Sequence, residues 1–127
     1  MAEITIYHNV SGLHRNGEGR TCGLFFGTCG RCRLVVAYRY QTTRAGPFGY
    51  AELAETYREN QAADSGGVNA RFGRRSLSAG DVIEVEGQQW AVGWFGFREI
   101  RLHPNQITVN PDPNLPTTPG AGYDPEN

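Results

Sequence analysis

The chain has 127 residues, a formal net charge of -1 and a mean hydropathy of -0.50. This length fits one domain that can bury a core without disulfide or metal cross-links, and the near-neutral charge excludes a strong whole-molecule attraction to nucleic acid or anionic membranes. No stretch approaches the roughly 18 apolar residues of a membrane span, and the first residues lack a signal-peptide pattern. We therefore expect a cytoplasmic protein without membrane contact.

Two β-prone segments flank a long glycine-rich stretch near the start of the chain. Ile4 and Ile6 alternate with polar neighbours, which predicts a first strand ending near His8 or Asn9. Residues 34–40 are rich in β-branched and aromatic side chains and predict a central strand that pairs with the first. Residues 10–31 between them hold six glycines and all three cysteines. We predict that this stretch is a long irregular loop or a compact irregular lobe.

A helix is predicted in the middle of the chain. Tyr50, Leu53, Ala54 and Tyr57 recur at helical spacing, which predicts that they form the buried face of an amphipathic helix. Residues 61–73 contain a Gly-Gly pair and no clear period, which predicts a flexible crossover.

A turn and a hairpin are predicted next. In Ser78-Ala79-Gly80-Asp81 the polar side chains can bond nearby amides while the glycine permits a left-handed turn. Two short β-prone runs, at 82–85 and 90–94, are separated by Glu86-Gly87-Gln88-Gln89, the spacing of a hairpin. Three side chains of the second run should share one face: Trp90, Val92 and Trp94.

The last part of the chain, residues 104–127, contains six prolines and few large apolar side chains. Such a segment buries too little surface to offset ordering, so we expect disorder from about residue 110, with Ile107–Val109 available as an edge strand. The whole pattern predicts an α+β fold: a small, mostly antiparallel sheet of four to five strands with one main helix packed on it. Residues 1–103 would form the single domain.

The cysteines suggest one candidate site. Cys29-Gly-Arg-Cys32 has the spacing that lets two thiolates reach one tetrahedral zinc ion, and Cys22 and His14 could complete four ligands. A single CxxC is not specific for metal, however, and ordinary loop thiols are the simpler interpretation. A redox motif fits less well because CGRC precedes a predicted strand instead of opening a helix. We expect no cofactor, with zinc as the alternative.

A second candidate surface combines aromatic and basic side chains around the hairpin. Exposed tryptophan is typical of binding hot spots, and arginine beside aromatic rings suits stacking and phosphate contact with single-stranded nucleic acid. Arginines interspersed with glutamates are also typical of an ordinary solvated surface. The candidate partner-binding residues are Trp90, Trp94, Phe95, Phe97, Arg74 and Arg75.

No catalytic set is evident in the sequence. Ser76 and Ser78 lack the GxSxG context of a nucleophile, and no nucleophile can be assigned to His8. We therefore expect that the protein is not an enzyme.

The segment from Arg75 to Ile100, RSLSAGDVIEVEGQQWAVGWFGFREI, resembles the YodL-like domain of conjugative elements, plasmids and phages, in its SLSxxDV stretch, aromatic hairpin and FGFxE ending. A looser similarity to actinobacterial relatives extends over about residues 3–101. The cysteine loop and the proline-rich tail depart from that pattern. The resemblance implies no reaction.

The resemblance implies an accessory protein of a phage, plasmid or integrative element that binds a host or element component. We predict a non-enzymatic protein-interaction module that modulates a host process through a protein partner. The alternative is a nucleic-acid-binding regulator that uses the arginine and aromatic surface, with or without a small zinc lobe.

Overall fold

The computed structural model describes residues 2–44, 46–61 and 66–108. Six strands form one sheet in the order β7-β6-β5-β1-β4-β8, and a two-stranded sheet, β2-β3, stands apart. The strands are β1 (Ala2–Asn9), β2 (His14–Arg15), β3 (Thr21–Cys22), β4 (Leu34–Thr42), β5 (Val82–Val85), β6 (Gln88–Val92), β7 (Phe97–Ile100) and β8 (Ile107–Thr108); the helices are α1 (Tyr50–Glu59) and α2 (Val68–Arg71).

Strand β1 lies at the centre of the sheet, antiparallel to both β4 and β5. Ile6 faces Tyr38 on one side and Ile83 on the other, and all three side chains are fully buried. The predicted pairing of the first strand with the segment 34–40 is confirmed.

Helix α1 is present where the spacing predicts it, but its buried face differs from the predicted one. Leu53, Thr56 and Asn60 are buried, whereas Tyr50 is 68 % exposed. Asn60 lies at the C-terminal end of the helix, where it accepts a hydrogen bond from the Tyr38 hydroxyl and donates one to Tyr40. Asn60 therefore packs inward because it bonds two tyrosines of β4, and Tyr50 is left at the surface.

The prediction of a flexible crossover at 61–73 is wrong for residues 66–73. These residues contain the single turn α2, followed by Phe72, whose ring stacks on Tyr38 with centroids 4.7 Å apart. Phe72 is 2 % exposed and belongs to the main core cluster. One turn of helix carries too few residues to show a period in the sequence.

The predicted hairpin is confirmed with a shorter connection. Only Glu86 and Gly87 lie between β5 and β6, and both have positive φ, 51° and 81°, as in the turn type that matches the twist of paired strands. Gln88 and Gln89 belong to β6. Trp94 lies beyond the end of β6, so it does not share the strand face of Trp90 and Val92 as predicted.

At the C-terminal side, a 3₁₀ turn at Pro104–Gln106 leads into β8, which pairs parallel to β4. The edge strand expected at 107–109 is therefore present at Ile107–Thr108, and the fold extends beyond residue 103. The expected disordered tail from about residue 110 lies outside the described residues.

The α+β class is confirmed, with six strands in the main sheet instead of four or five. No helix in the described part of the chain is long and apolar enough to cross a membrane.

Candidate functional site

The glycine-rich stretch folds as a small lobe, residues 10–33, which we call the Cys/His lobe. Its first part is the β2-β3 hairpin, in which His14 pairs directly with Cys22. Directly paired residues of antiparallel strands project to the same face. The hairpin turn is closed by Asn16, whose side-chain oxygen accepts hydrogen bonds from the amides of Glu18 and Arg20. Local turn chemistry thus brings two candidate ligands together from positions eight residues apart.

The second part of the lobe returns the chain to the same place. Gly23 and Gly27 form an isolated antiparallel bridge, which reverses the chain after Cys22. The segment Cys29–Cys32 then closes a tight turn in which the amide of Cys32 donates to the carbonyl of Cys29 at 3.1 Å. Both Cys29 and Cys32 therefore face the His14–Cys22 pair.

Three of the four candidate metal ligands form one close group, and the fourth, Cys32, lies beside two of them. The ligand atoms of His14, Cys22 and Cys29 all lie within 4.8 Å of one another. Cys32 Sγ lies 3.7 Å from Cys29 Sγ and 3.9 Å from His14 Nε2, and His14 Nε2 lies 3.1 Å from Cys29 Sγ. All three cysteines are free thiols, since a disulfide would place two sulfurs about 2.05 Å apart.

The tautomer of His14 is set by the backbone. His14 Nδ1 lies 2.8 Å from the carbonyl oxygen of Gly12. A carbonyl oxygen only accepts, so Nδ1 carries a proton, and Nε2 is the ring nitrogen that faces the sulfurs. The contacts with Gly12 and Cys29 also raise the pKa of His14.

The thiols have unequal acidities. Burial and the neighbouring Cys29 raise the pKa of Cys22 to about 11, and burial raises the pKa of Cys32. Burial opposes ionisation of Cys29 as well, but hydrogen bonds from His14, the Arg31 amide and the other two thiols together lower its pKa to about 7. Cys29 is therefore the thiol that ionises first.

The Cys/His lobe docks on the turn that precedes β5. Ala79 and Gly80 accept hydrogen bonds through their carbonyls from the Phe25 amide, at 2.8 Å, and the Thr28 hydroxyl, at 2.6 Å. Gly80 has φ +97°, and a Cβ there would lie 2.7 Å from the carbonyl oxygen of Gly23. The backbone approach is too close for any side chain. The turn predicted at 78–81 therefore also serves as the docking point of the lobe.

Asp81 fixes the same turn from inside. Its fully buried carboxylate accepts from the amides of Asn9 and Ser78, each at 2.8 Å, and from both terminal nitrogens of Arg75, at 2.7 and 2.8 Å. Burial raises the pKa of Asp81 above its usual value, against the opposing effect of Arg75 and the two amides. Each oxygen of the Asp81 carboxylate therefore accepts two hydrogen bonds from within the fold.

Exposed aromatic side chains from three parts of the fold meet beside the lobe. The Trp94 indole donates to the Phe25 carbonyl at 2.6 Å, and the Trp94 and Phe26 rings lie 6.1 Å apart. A groove of about 730 Å³ runs between α1 and the side chains of Phe25 and Trp94. We call this surface the aromatic ridge; its members and exposures are Phe25 55 %, Phe26 45 %, Tyr50 68 %, Trp94 66 % and Phe95 96 %.

The structure divides the predicted partner-binding residues. Trp94 and Phe95 lie on the ridge, whereas Trp90 and Phe97 are partly buried and pack against the main core. Arg75 is occupied by Asp81, and the Arg74 amide and carbonyl both bond Asn69.

Three further ridge residues were not among the predicted partner-binding residues: Phe25, Phe26 and Tyr50. For Phe25 and Phe26, the sequence signal was that two large apolar side chains lie inside a glycine-rich loop. No signal in the sequence indicated that Tyr50 faces solvent.

Comparison of the chain with models of protein families, with curated proteins and with solved structures finds no match. The similarity to YodL-like domains therefore stays a prediction from the residues.

Proposed function

We propose that this protein is a non-enzymatic interaction module that binds an apolar segment of a partner protein on the aromatic ridge. The single observation that carries the proposal is a cluster of five exposed aromatic side chains, of which Phe25, Tyr50, Trp94 and Phe95 line one groove and Phe26 contacts Trp94 beside it. Scattered exposed apolar residues are normal on a protein surface, but a contiguous patch marks an interaction site.

The ridge has the composition and support of a binding surface. Large aromatic side chains contribute most to protein interfaces because they bury much area with few rotatable bonds. Trp94 is held by its bond to the Phe25 carbonyl, and Tyr50 contacts Phe97 edge to face with centroids 5.6 Å apart. These contacts reduce the entropy that a partner would have to remove on binding.

The titratable groups near the ridge support a binding role over catalysis. Asp81 is saturated by four donors and is not free to act as a base. Burial, with the charges of Arg75 and Arg74, lowers the pKa of His8 to about 3, which removes it from proton transfer near neutral pH. The remaining reactive pair, His14 and Cys29, belongs to the Cys/His lobe and lies outside the ridge.

The arginines favour a protein partner over nucleic acid. Arg44, Arg58 and Arg75 each form an ion pair, with Glu59, Glu55 and Asp81 respectively. Pairing with carboxylates lowers the positive potential that would attract phosphates. The resemblance of residues 75–100 to the YodL-like domain supports a role as an accessory protein of a mobile element. In this proposal the partner protein belongs to the host.

The proposal is tested by selecting random peptides on the immobilised protein and measuring their affinities by fluorescence anisotropy. The ridge variant carries Trp94→Ser and Phe95→Ser. The control is Val10→Ser, which removes an exposed apolar side chain outside the ridge. Peptides rich in aliphatic or aromatic residues are expected, with affinity at least tenfold lower for the ridge variant and unchanged for the control.

Two results would count against the proposal. One is that no peptide is selected, or that the selected peptides bind the ridge variant as well as the wild type. The other is that single-stranded oligonucleotides bind at low salt, lose affinity steeply as salt rises, and require Trp94 and Phe95. That second result would assign the ridge to nucleic acid.

A further inference from the structure

We propose that His14, Cys22, Cys29 and Cys32 bind one zinc ion per chain as a closed structural site. The inference is independent of the partner that the ridge binds. It concerns residues that the sequence spreads over positions 14–32; the fold groups His14, Cys22 and Cys29 and places Cys32 beside His14 and Cys29.

The distances match a zinc tetrahedron. With Zn–S near 2.3 Å and Zn–N near 2.05 Å, tetrahedral angles place two sulfurs about 3.8 Å apart and a nitrogen about 3.5 Å from a sulfur. Cys29 Sγ and Cys32 Sγ are 3.7 Å apart. His14 Nε2 lies 3.1 and 3.9 Å from the same two sulfurs, on either side of the expected value. Cys22 belongs to the group within 4.8 Å that includes His14 and Cys29 but not Cys32, so zinc binding requires Cys22 and Cys32 to move closer together.

The surrounding hydrogen bonds are those that a bound metal requires. A ligating histidine almost always donates its second ring nitrogen to an oxygen, which orients the ring; here His14 Nδ1 contacts the Gly12 carbonyl. The Cys29 amide donates to Cys32 Sγ at 3.3 Å, which stabilises a thiolate. Gln106 donates to the carbonyls of both Cys29 and Cys32, at 2.8 and 3.1 Å, and so fastens the turn to the sheet.

The charge around the cluster fits the expected complex. Three thiolates and one neutral imidazole on Zn²⁺ carry a net charge of about -1. Arg98 lies nearby and donates to the Thr28 carbonyl, directly before Cys29. A cationic neighbour offsets the residual negative charge without entering the coordination sphere.

The ligand chemistry selects zinc and a structural role. Thiolates and imidazole favour Zn²⁺ over Mg²⁺ or Ca²⁺, which prefer oxygen. A Cys₃His set fills all four tetrahedral positions, whereas a catalytic zinc site keeps one position for water. The competing interpretation of His14 and Cys29 as a nucleophile and its base leaves the convergence of Cys22 and Cys32 without a purpose.

Metal binding would also order two of the five members of the aromatic ridge. Phe25 and Phe26 lie between the ligands Cys22 and Cys29, so the zinc site closes the loop that carries them. Trp94 contacts both residues. Removal of the metal is therefore expected to change Trp94 fluorescence.

The experiment measures zinc by elemental analysis of the reduced, purified full-length chain, and then titrates metal-free protein with Co²⁺ under anaerobic conditions. One zinc per chain is expected. Co²⁺ should give saturation at one equivalent, with thiolate-to-cobalt charge-transfer bands and the intense visible bands of tetrahedral coordination.

Variants assign the ligands. His14→Ala should weaken zinc binding by more than about 100-fold, because loss of an outer partner alone costs about 10–100-fold. His14→Cys should retain stoichiometric zinc and strengthen the charge-transfer bands, which separates ligand loss from misfolding. Arg15→Ala is the matched control, since it removes a large side chain from the same strand, β2, outside the cluster.

Three results would overturn the proposal. The first is folded, reduced wild-type protein that contains no zinc and gives no cobalt charge-transfer band. The second is a His14→Ala variant with unchanged affinity and spectrum. The third is a metal-free chain whose Cys29 forms a covalent adduct with a thioester substrate and turns it over. Failure of peptide binding at the ridge, by contrast, would leave these metal measurements unaffected.

Discussion

Replacing Asp81 with asparagine should destabilise the fold severely, because the carboxylate is the shared acceptor of four donors. The substitution preserves shape but leaves the Arg75 guanidinium without its counter-charge and puts an amide group against the donors from Asn9 and Ser78. The Arg75 side chain is 32 % exposed and partly solvated, so the loss comes mainly from the buried amide donors, at about 1–3 kcal/mol for each one left unsatisfied. This is a large part of the roughly 5–15 kcal/mol that stabilises a typical domain.

The assay is urea unfolding followed by tryptophan fluorescence, with thermal unfolding in parallel. A loss of about 3 kcal/mol lowers Tm by about 10 °C in a chain of this size. The control is Glu55→Gln, which breaks an ion pair with Arg58 whose side chains are 65 % and 51 % exposed; no measurable change is expected there. If Asp81→Asn costs less than about 1 kcal/mol, the carboxylate does not organise the turn, and the reasoning is wrong.

Three further predictions concern the sheet and the Cys/His lobe. Gly80→Ala should lower the free energy of unfolding by clearly more than the roughly 1–2 kcal/mol that a left-handed residue costs. The control is Gly87→Ala, which is also at positive φ but has open space around it and should cost no more than that. Equal losses of the two variants in urea unfolding would contradict the close approach at Gly80. His8 has a pKa lowered to about 3, so it is neutral in the fold and charged in the acid-unfolded chain. The contribution of neutral His8 to the free energy of unfolding is complete above pH 6.5 and is lost as the pH falls towards 3, at up to about 1.4 kcal/mol per pH unit. His8→Phe should therefore flatten the plot of unfolding free energy against pH between these values. An unchanged plot would show that other groups cause the pH dependence. Gln106→Ala removes the donor to the carbonyls of Cys29 and Cys32. It should weaken zinc binding by about 10–100-fold in a competition titration with a chromogenic chelator. Unchanged zinc affinity would show that the Cys29–Cys32 turn keeps its conformation without Gln106.

The regular elements could be predicted from the sequence because local patterns determine them. Alternation at Ile4 and Ile6, the β-branched run after residue 33 and the glycine at 87 each act within a few residues, and the structure contains the corresponding strands and turn. Phe72 shows the limit of this reasoning. Its burial depends on a stacking partner, Tyr38, that lies far away in the chain, and one turn of helix gives no period to read.

The candidate site was only partly predictable. The four ligand types were visible in the sequence, but their convergence depends on the turn at Asn16, the Gly23–Gly27 bridge and the contact with Gly80, none of which a spacing rule describes. The ridge was less visible still. Its members come from the Cys/His lobe, α1 and the segment after β6, and only the tertiary fold places them side by side.

The central position of β1 has a consequence for folding during synthesis. The first strand to be made can pair with β4 as soon as Thr42 is available, but its other edge is satisfied only by β5, which begins at Val82. Until then, an apolar strand has a free row of backbone donors and acceptors, which is a template for pairing with other chains. The nascent protein should therefore be most prone to aggregation after β4 has formed and before β5 leaves the ribosome.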